Sequence, residues 1–174
     1  MHDVKVPDGM NTIDDPFSRL VELYQTPLRR MCCIWLRDAS LAEDAVQEAF
    51  LRAYRALPSF RNECSEKTWL FRIAVNVCRN LKRSRWFRFV DRSVEIERLP
   101  EASVPFTPED DALLQAVTLL PLRQREAILL YYYQNMTMTE IAHALNTTPS
   151  TVSRRLDAAR KSLRKQLKGE STYD

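Results

Sequence analysis

Two runs of basic side chains, each accompanied by hydroxyl, amide or aromatic residues, are where this chain could do chemistry, and that chemistry is the binding of a polyanion. Residues 79–92 hold six basic side chains and one acid, and residues 153–168 hold seven and one. The two runs carry +5 and +6 in a chain whose total is +3, so everything else sums to −8. A polyanion would meet two separate basic patches on an acidic body. The second run is preceded by Thr148, Ser150 and Thr151 and opens on Ser153, hydroxyls suited to hold a phosphate where a helix begins. Arg154 and Arg155 follow, long enough to reach guanine edges or phosphates from a major groove. Arg160, Lys161, Arg164 and Lys165 lie further along and either track a backbone or face solvent.

The first run continues a different pattern, "FRNECSEKTWLFRIAVNVCRNLKRSRWFRF". Phe60, Arg61, Asn62, Trp69, Arg72, Asn76, Arg79, Asn80 and Arg83 combine aromatic platforms, amides and cations. Bases extruded from a duplex need all three, each stacked base contributing about 1–3 kcal/mol. Any one of these aromatics alone would more often be core; the cluster is what points to a single strand. A third constellation, Asp44, Gln47, Glu48, Leu51 and Arg55, falls on one stripe of a helix at i, i+3, i+4, i+7 and i+11. An acid, amide and leucine stripe suits a protein partner, although Glu48 also has the plain role of an i,i+4 pair with Arg52. A metal-dependent nuclease built on Glu43, Asp44 and Glu48 is disfavoured, because the two histidines, His2 and His143, are distant in sequence and Glu43 belongs to a helix cap. No catalytic residue, metal or cofactor is expected. Cys32, Cys33, Cys64 and Cys78 show no Cys-x-x-Cys spacing and read as reduced thiols, with a redox-sensing thiol switch or a metal site gathered from distant ligands as the alternatives.

The elements that must position these residues are helices. Only Gly9 and Gly169 interrupt a text rich in Leu, Ala, Arg and Glu, which excludes glycine-rich phosphate loops and reads as all-α. Apolar spacing predicts helices over 16–35, over 41–57 behind a Ser40/Glu43 capping box and stopped by Pro58, and over 68–85. The stretch from 87 to 111, with Pro100, Pro105, Pro108 and many acids, reads as an extended linker. Helices over 110–119 and 121–133 follow. A Thr137/Glu140 capping box opens a short helix carrying Ile141, Ala142 and Leu145; Asn146 suits a left-handed turn. Thr148 and Pro149 then open a last helix whose Val152, Leu156, Ala159, Leu163 and Leu167 face inward. That is helix-turn-helix spacing. The expected organisation is a flexible N-terminus over 1–15, two small helical domains over 16–88 and 110–168, a linker over 89–109 and a tail over 169–174. No window nears ~20 apolar residues and the N-terminus lacks a signal-peptide core, so a cytoplasmic protein without membrane insertion is expected.

The segments "AEDAVQEAFLRAYRAL", "TWLFRIAVN" and "LPLRQREAILLYYYQNMTMTEIAHALNTTPSTVSRRLDAARKSL" closely resemble the region-two and region-four signatures of bacterial RNA polymerase sigma factors of the extracytoplasmic-function (ECF) group, in the sigma-70 family. The resemblance implies a sigma region 2 helical bundle and a sigma region 4 helix-turn-helix. It implies that Asp44, Gln47 and Glu48, with Leu51 and Arg55 on their stripe, dock on the clamp helices of the largest core RNA polymerase subunit, and that region 4 meets the flap of the second-largest subunit. The loop from Phe60 to Trp69 and the face of Asn76 and Asn80 would recognise and melt the minus-10 promoter DNA. Thr148, Ser150, Thr151, Ser153, Arg154 and Arg155 would serve the minus-35 element, and the linker would thread toward the active-site and RNA-exit path. An anti-sigma factor that holds the protein off, in some cases at the membrane, is a further implied partner. The alternative is a helix-turn-helix regulator that acts without being a polymerase subunit and binds a palindrome as a dimer.

Overall fold

A computed structural model describes residues 15–90 and 108–170; the N-terminal 1–14, most of the expected linker (91–107) and the end of the tail (171–174) lie outside the described residues. Seven α-helices account for the described architecture, and no strand occurs among these residues. The first domain is α1 (Pro16–Leu36), α2 (Ala39–Ala56) and α3 (Glu66–Val90). Asp15 caps α1 by accepting from the Ser18 N–H at 3.1 Å, with Pro16 at the first position, where its missing N–H costs nothing. Arg37 ends α1 in the left-handed conformation and donates its N–H to Cys33 O.

The start of α2 departs from the sequence expectation. Asp38, not Ser40, supplies the cap, accepting from the Leu41 N–H at 2.9 Å, and Glu43 pairs with Arg29 of α1 instead of closing a box. Asp38 has the extended backbone a cap requires and a carboxylate that complements the helix N-terminus, so the helix starts two residues early. Pro58 stops it through a 3-10 turn, Leu57–Ser59. Ala42, Ala45, Ala49 and Ala53 are fully buried, and their small side chains let α2 lie close against α1 and α3. Leu41 and Leu57, at the two ends of the same line, are only half-buried, while Val46 and Phe50 widen it. Around it pack Leu28, Trp35, Leu70 and Phe71.

The second domain is α4 (Pro108–Leu119), α5 (Leu122–Ile128), a π-helical turn (Leu129–Tyr133), α6 (Met138–Leu145) and α7 (Pro149–Glu170). Both helices flanking the linker run into it, α3 to Val90 and α4 from Pro108, so the extended stretch is shorter than the sequence suggests. At the helix-turn-helix, the Thr137/Glu140 capping box is present in both directions, Asn146 is left-handed at φ 51 and ψ 57, and Val152 is fully buried in the angle between α6 and α7. Leu167, read as inward, is instead exposed, because α7 outruns the helices it packs on. The hydrogen bond from the Thr137 backbone, then that from its hydroxyl and the charge of Lys67, hold the Glu140 carboxyl below the usual 4.5. A depressed carboxyl contributes stability that is present above its unfolded pKa and lost as pH falls through the folded one. We expect Thr137→Ala to cost about 1 kcal/mol in chemical denaturation at neutral pH, and Glu140→Gln to show a deficit that shrinks as the pH is lowered below 4.5.

The two domains share one continuous core. Helix α6 packs on α3, so α3 is covered on more than one side: Phe71 and Cys78 lie against Tyr24 and Cys32 of α1, and Leu70, Ala74 and Val75 are buried with them. Polar contacts tie the joint. Arg125 of α5, nearly fully buried, donates to Trp35 O and Leu120 O at 3.0 Å and to Thr118 O. These are carbonyls at the C-terminal ends of α1 and α4, which lack intrahelical partners and favour a cation. Gln134, also buried, donates its amide to Pro27 O at 3.2 Å and accepts from the Lys67 ammonium through its backbone carbonyl.

Candidate nucleic-acid and partner-binding sites

On α2, burial of the alanine seam turns the opposite stripe outward. Asp44, Gln47, Leu51 and Arg55 are exposed and Glu48 is half-exposed, its carboxylate bound to Arg52 Nε at 2.6 Å as the i,i+4 spacing anticipates. Leu51 at 43% exposure is an apolar side chain that nothing in the fold requires on the surface. Asp44, Gln47, Glu48 and Leu51 form one wall of an open groove of about 800 Å³. The other wall is α3, through Val77, Leu81, Asn80 and Arg83. The acidic stripe and the amide and arginine face of the next helix, two constellations in the sequence, therefore meet along a single surface. Val77 and Leu81 floor this groove.

Along α3, Arg72, Asn76, Asn80 and Arg83 are exposed on one face, and the approach to the helix exposes Arg61 and Asn62. Asn62 is left-handed at φ 56, a conformation asparagine tolerates better than most residues, and this turns the loop between Phe60 and Trp69. Phe60 and Trp69 are half-buried and stack on each other, 4.6 Å between centroids and 24° between planes. They form a paired aromatic step at the loop rather than two separate platforms. Arg79 is different from its neighbours. Its Nε and Nη2 donate to the two carboxylate oxygens of Glu126 at 2.8 Å each, bonds that raise the guanidinium's pKa, so this cation is engaged across the domain joint.

At the start of α7, Thr148 Oγ1 accepts from the Thr151 N–H at 3.3 Å and lies within 3.0 Å of Ser150 Oγ and 2.9 Å of Thr151 Oγ1. Arg154 is exposed and donates to Thr151 Oγ1 at 3.3 Å. Ser153 is half-buried. Arg155, which the sequence pairs with Arg154, goes another way: it is half-buried with Nη1 enclosed and without a hydrogen bond, and burial followed by the charge of Arg123 lowers its pKa. Further along, Arg160 is held by Tyr132 Oη at 3.0 Å and Asp157 at 3.1 Å and lies over the Tyr131 and Tyr132 rings, so it braces α7 against the π-helical turn. The "YYY" triplet is the signal that could have separated it from Lys161, Arg164 and Lys165, which are not so held.

Cys32 and Cys78 lie side by side in the first core, Sγ to Sγ 3.7 Å, a proximity their spacing does not announce. The hydrogen bond to Cys78 and burial push the Cys32 thiol well up, and burial pushes up Cys33 and Cys64. Thiols so raised are poor nucleophiles at neutral pH. Among the described residues no cluster of three or more His, Cys, Asp or Glu could hold a metal ion, and no helix is long and apolar enough to cross a membrane.

The family model "Sigma-70 region 2" matches residues 20–88 and "Sigma-70, region 4" matches residues 110–163. The chain is 30% identical over 168 residues to the ECF RNA polymerase sigma factor SigW of Bacillus subtilis, covering 88% of this chain and 90% of that one. It is 30% identical over 165 residues to the RNA polymerase sigma-H factor of Pseudomonas aeruginosa, covering 87% and 86%. Among solved structures, the sigma factor RpoE of Bartonella quintana, in complex with the anti-sigma factor NepR, superposes with a TM-score of 0.76 at 25% identity over 87% of this chain and 96% of that one.

Proposed function

Because this chain belongs to the extracytoplasmic-function group of the sigma-70 family, we propose that it binds core RNA polymerase, directs it to a specific set of promoters and leaves the chemistry to the polymerase. The observation that carries the finer reading is the groove between α2 and α3, where Asp44, Gln47, Glu48 and Leu51 face Asn80 and Arg83. Acidic and apolar groups on one wall suit the clamp helices of the largest subunit, and the amide and arginine wall lies where a displaced promoter strand would leave that contact. Asn76, Asn80, Arg72 and Arg83, with the Phe60 and Trp69 step, take the minus-10 strand. Arg154 and the hydroxyls of Thr148, Ser150, Thr151 and Ser153 take the minus-35 duplex, and the second domain meets the flap of the second-largest subunit. Solved relatives of the same fold are held by anti-sigma factors, and we extend such a partner to this chain, with the α2 stripe as one of the surfaces it covers.

Transcription by purified core polymerase on a library of genomic fragments tests this. Discrete start sites that appear only when the chain is added are expected. Transcripts unchanged by its addition, or a dimer bound to a palindrome without polymerase, would favour the regulator reading.

A further inference from the structure

We propose that Cys32 of α1 and Cys78 of α3 form a modification site, where a hydroperoxide converts the two thiols to a disulfide that staples α1 to α3 and displaces the α3 face set against the promoter strand. The two sulfurs lie 3.7 Å apart, and the Cys78 thiol donates to Cys32 Sγ. They stand 46 residues apart in the chain and on different helices, so their contact is made by the fold alone. The other cysteines do not continue the pair. Cys33 is turned about 100° around α1 from Cys32, and Cys64 lies in the loop before α3.

Burial selects the reagent. Cys32 and Cys78 are both 0% exposed, so a bulky disulfide such as oxidised glutathione has no approach, whereas hydrogen peroxide is small and uncharged. One sulfur attacks a peroxide oxygen; the O–O bond breaks, and the departing hydroxide leaves as water with that thiol's proton, giving a sulfenic acid. The partner sulfur then attacks the sulfenic sulfur; the S–O bond breaks, the S–S bond forms, and a second water leaves with the second proton. The two thiols together lose two electrons and the peroxide gains two. The bond between the sulfurs and burial hold the Cys32 proton more tightly than in a free thiol, so the first step is slow and the pair answers sustained peroxide rather than a brief pulse. The second step is fast, because the attacking sulfur is already in place.

A disulfide is about 2.05 Å long, so the sulfurs have to close by about 1.7 Å. Both sit in a packed core with little room to yield, and part of the movement therefore falls on the backbone of α3. Cys78 lies two residues from Asn76 on one side and from Asn80 on the other, and its neighbour Val77 lines the α2 and α3 groove with Asn80. The staple thus reaches the strand-binding face from behind. This effect on the promoter rests on the reading under Proposed function; the chemistry of the pair does not.

The test treats the full chain with hydrogen peroxide, alkylates the remaining thiols and maps the products by mass spectrometry without reduction. One linked species joining the Cys32 and Cys78 peptides is expected, lost on treatment with dithiothreitol. Its thermal midpoint should rise on the order of 10 °C, because the cross-link closes a long loop of the unfolded chain. In complex with polymerase, permanganate-reactive promoter should fall about fivefold or more, the loss of one base contact, and recover with dithiothreitol. Cys78→Ala should show none of these responses to peroxide, and Cys32→Ala serves equally if Cys78→Ala fails to fold. Peroxide that consumes Cys33 and Cys64 without forming the linked peptide overturns the site, as does a midpoint that falls on oxidation. A linked chain that opens promoters as well as the reduced one, or an equal loss in Cys78→Ala, overturns the effect on α3. If the reduced chain opens no promoter with polymerase, the sigma-factor reading fails, and the linked peptide and the midpoint still decide the site.

Discussion

Asp44→Arg is expected to abolish useful binding to core RNA polymerase while leaving the fold intact. Asp44 is exposed at the rim of the α2 and α3 groove, and no hydrogen bond to its side chain contributes to the helix. Exposed substitutions away from caps and cores change stability by no more than about 0.5 kcal/mol, so the thermal midpoint should hardly move. Reversing a charge inside a docked interface replaces an attraction with a repulsion in a desolvated setting, at about 2–5 kcal/mol. At about 1.4 kcal/mol per decade, affinity should fall by roughly 30- to several thousand-fold. A fluorescence-anisotropy titration with labelled chain and purified core reads this directly, and wild-type affinity in the variant would remove the α2 stripe from the polymerase interface. Leu51→Ala should act in the same direction, with a smaller effect.

Trp69→Ala is expected to leave promoter binding in place but to impair strand opening. Trp69 stacks on Phe60 at the mouth of the loop and is only half-buried, packing on the edge of the core that Phe71 and Trp35 fill. Its removal dismantles the one aromatic step on that surface. Stacking is worth about 1–3 kcal/mol per base, so the fraction of opened complexes should fall roughly 5- to 150-fold. Permanganate reactivity of unpaired thymines in the polymerase complex measures it. Reactivity equal to wild type would assign the Phe60 and Trp69 pair to packing alone.

Patterns set by residues close together in the chain were legible in the sequence, and patterns that depend on helices distant in the chain meeting were not. The Thr137/Glu140 box, Asn146 and Val152 were readable because each answers a local demand: an orphan N–H, a left-handed turn, a gap at a crossing. The α2 stripe was readable because a seam of alanines forces the other residues outward. The Ser40/Glu43 box failed as a reading since Asp38, two residues earlier, caps the helix and Glu43 is drawn to Arg29 of α1. Arg155 looked like a member of a basic face because its enclosure comes from the packing of α5 on α7, and Arg79 did because its partner, Glu126, is far away in sequence and sits in another domain. A signal for it did exist. Glu126 falls four residues after Leu122 and three before Leu129, on the apolar stripe of α5, and a charge at such a position implies a buried partner. Arg125 and Gln134 escaped notice for the same reason, since the carbonyls they serve, Trp35 O and Pro27 O, belong to a helix of the first domain. The closeness of Cys32 and Cys78 likewise comes from α1 packing on α3 and from nothing in their spacing.

The central claim is that one chain supplies two promoter contacts, and that it does so as a subunit of polymerase rather than alone. Nuclease footprinting on a promoter taken from the transcription experiment tests this most directly, comparing free chain, core and the two combined. The account predicts two protected blocks, near minus-35 and minus-10, with the combination only, and none with the free chain at the same concentration. A single block with the combination, or full specific protection by the chain without core, would contradict it.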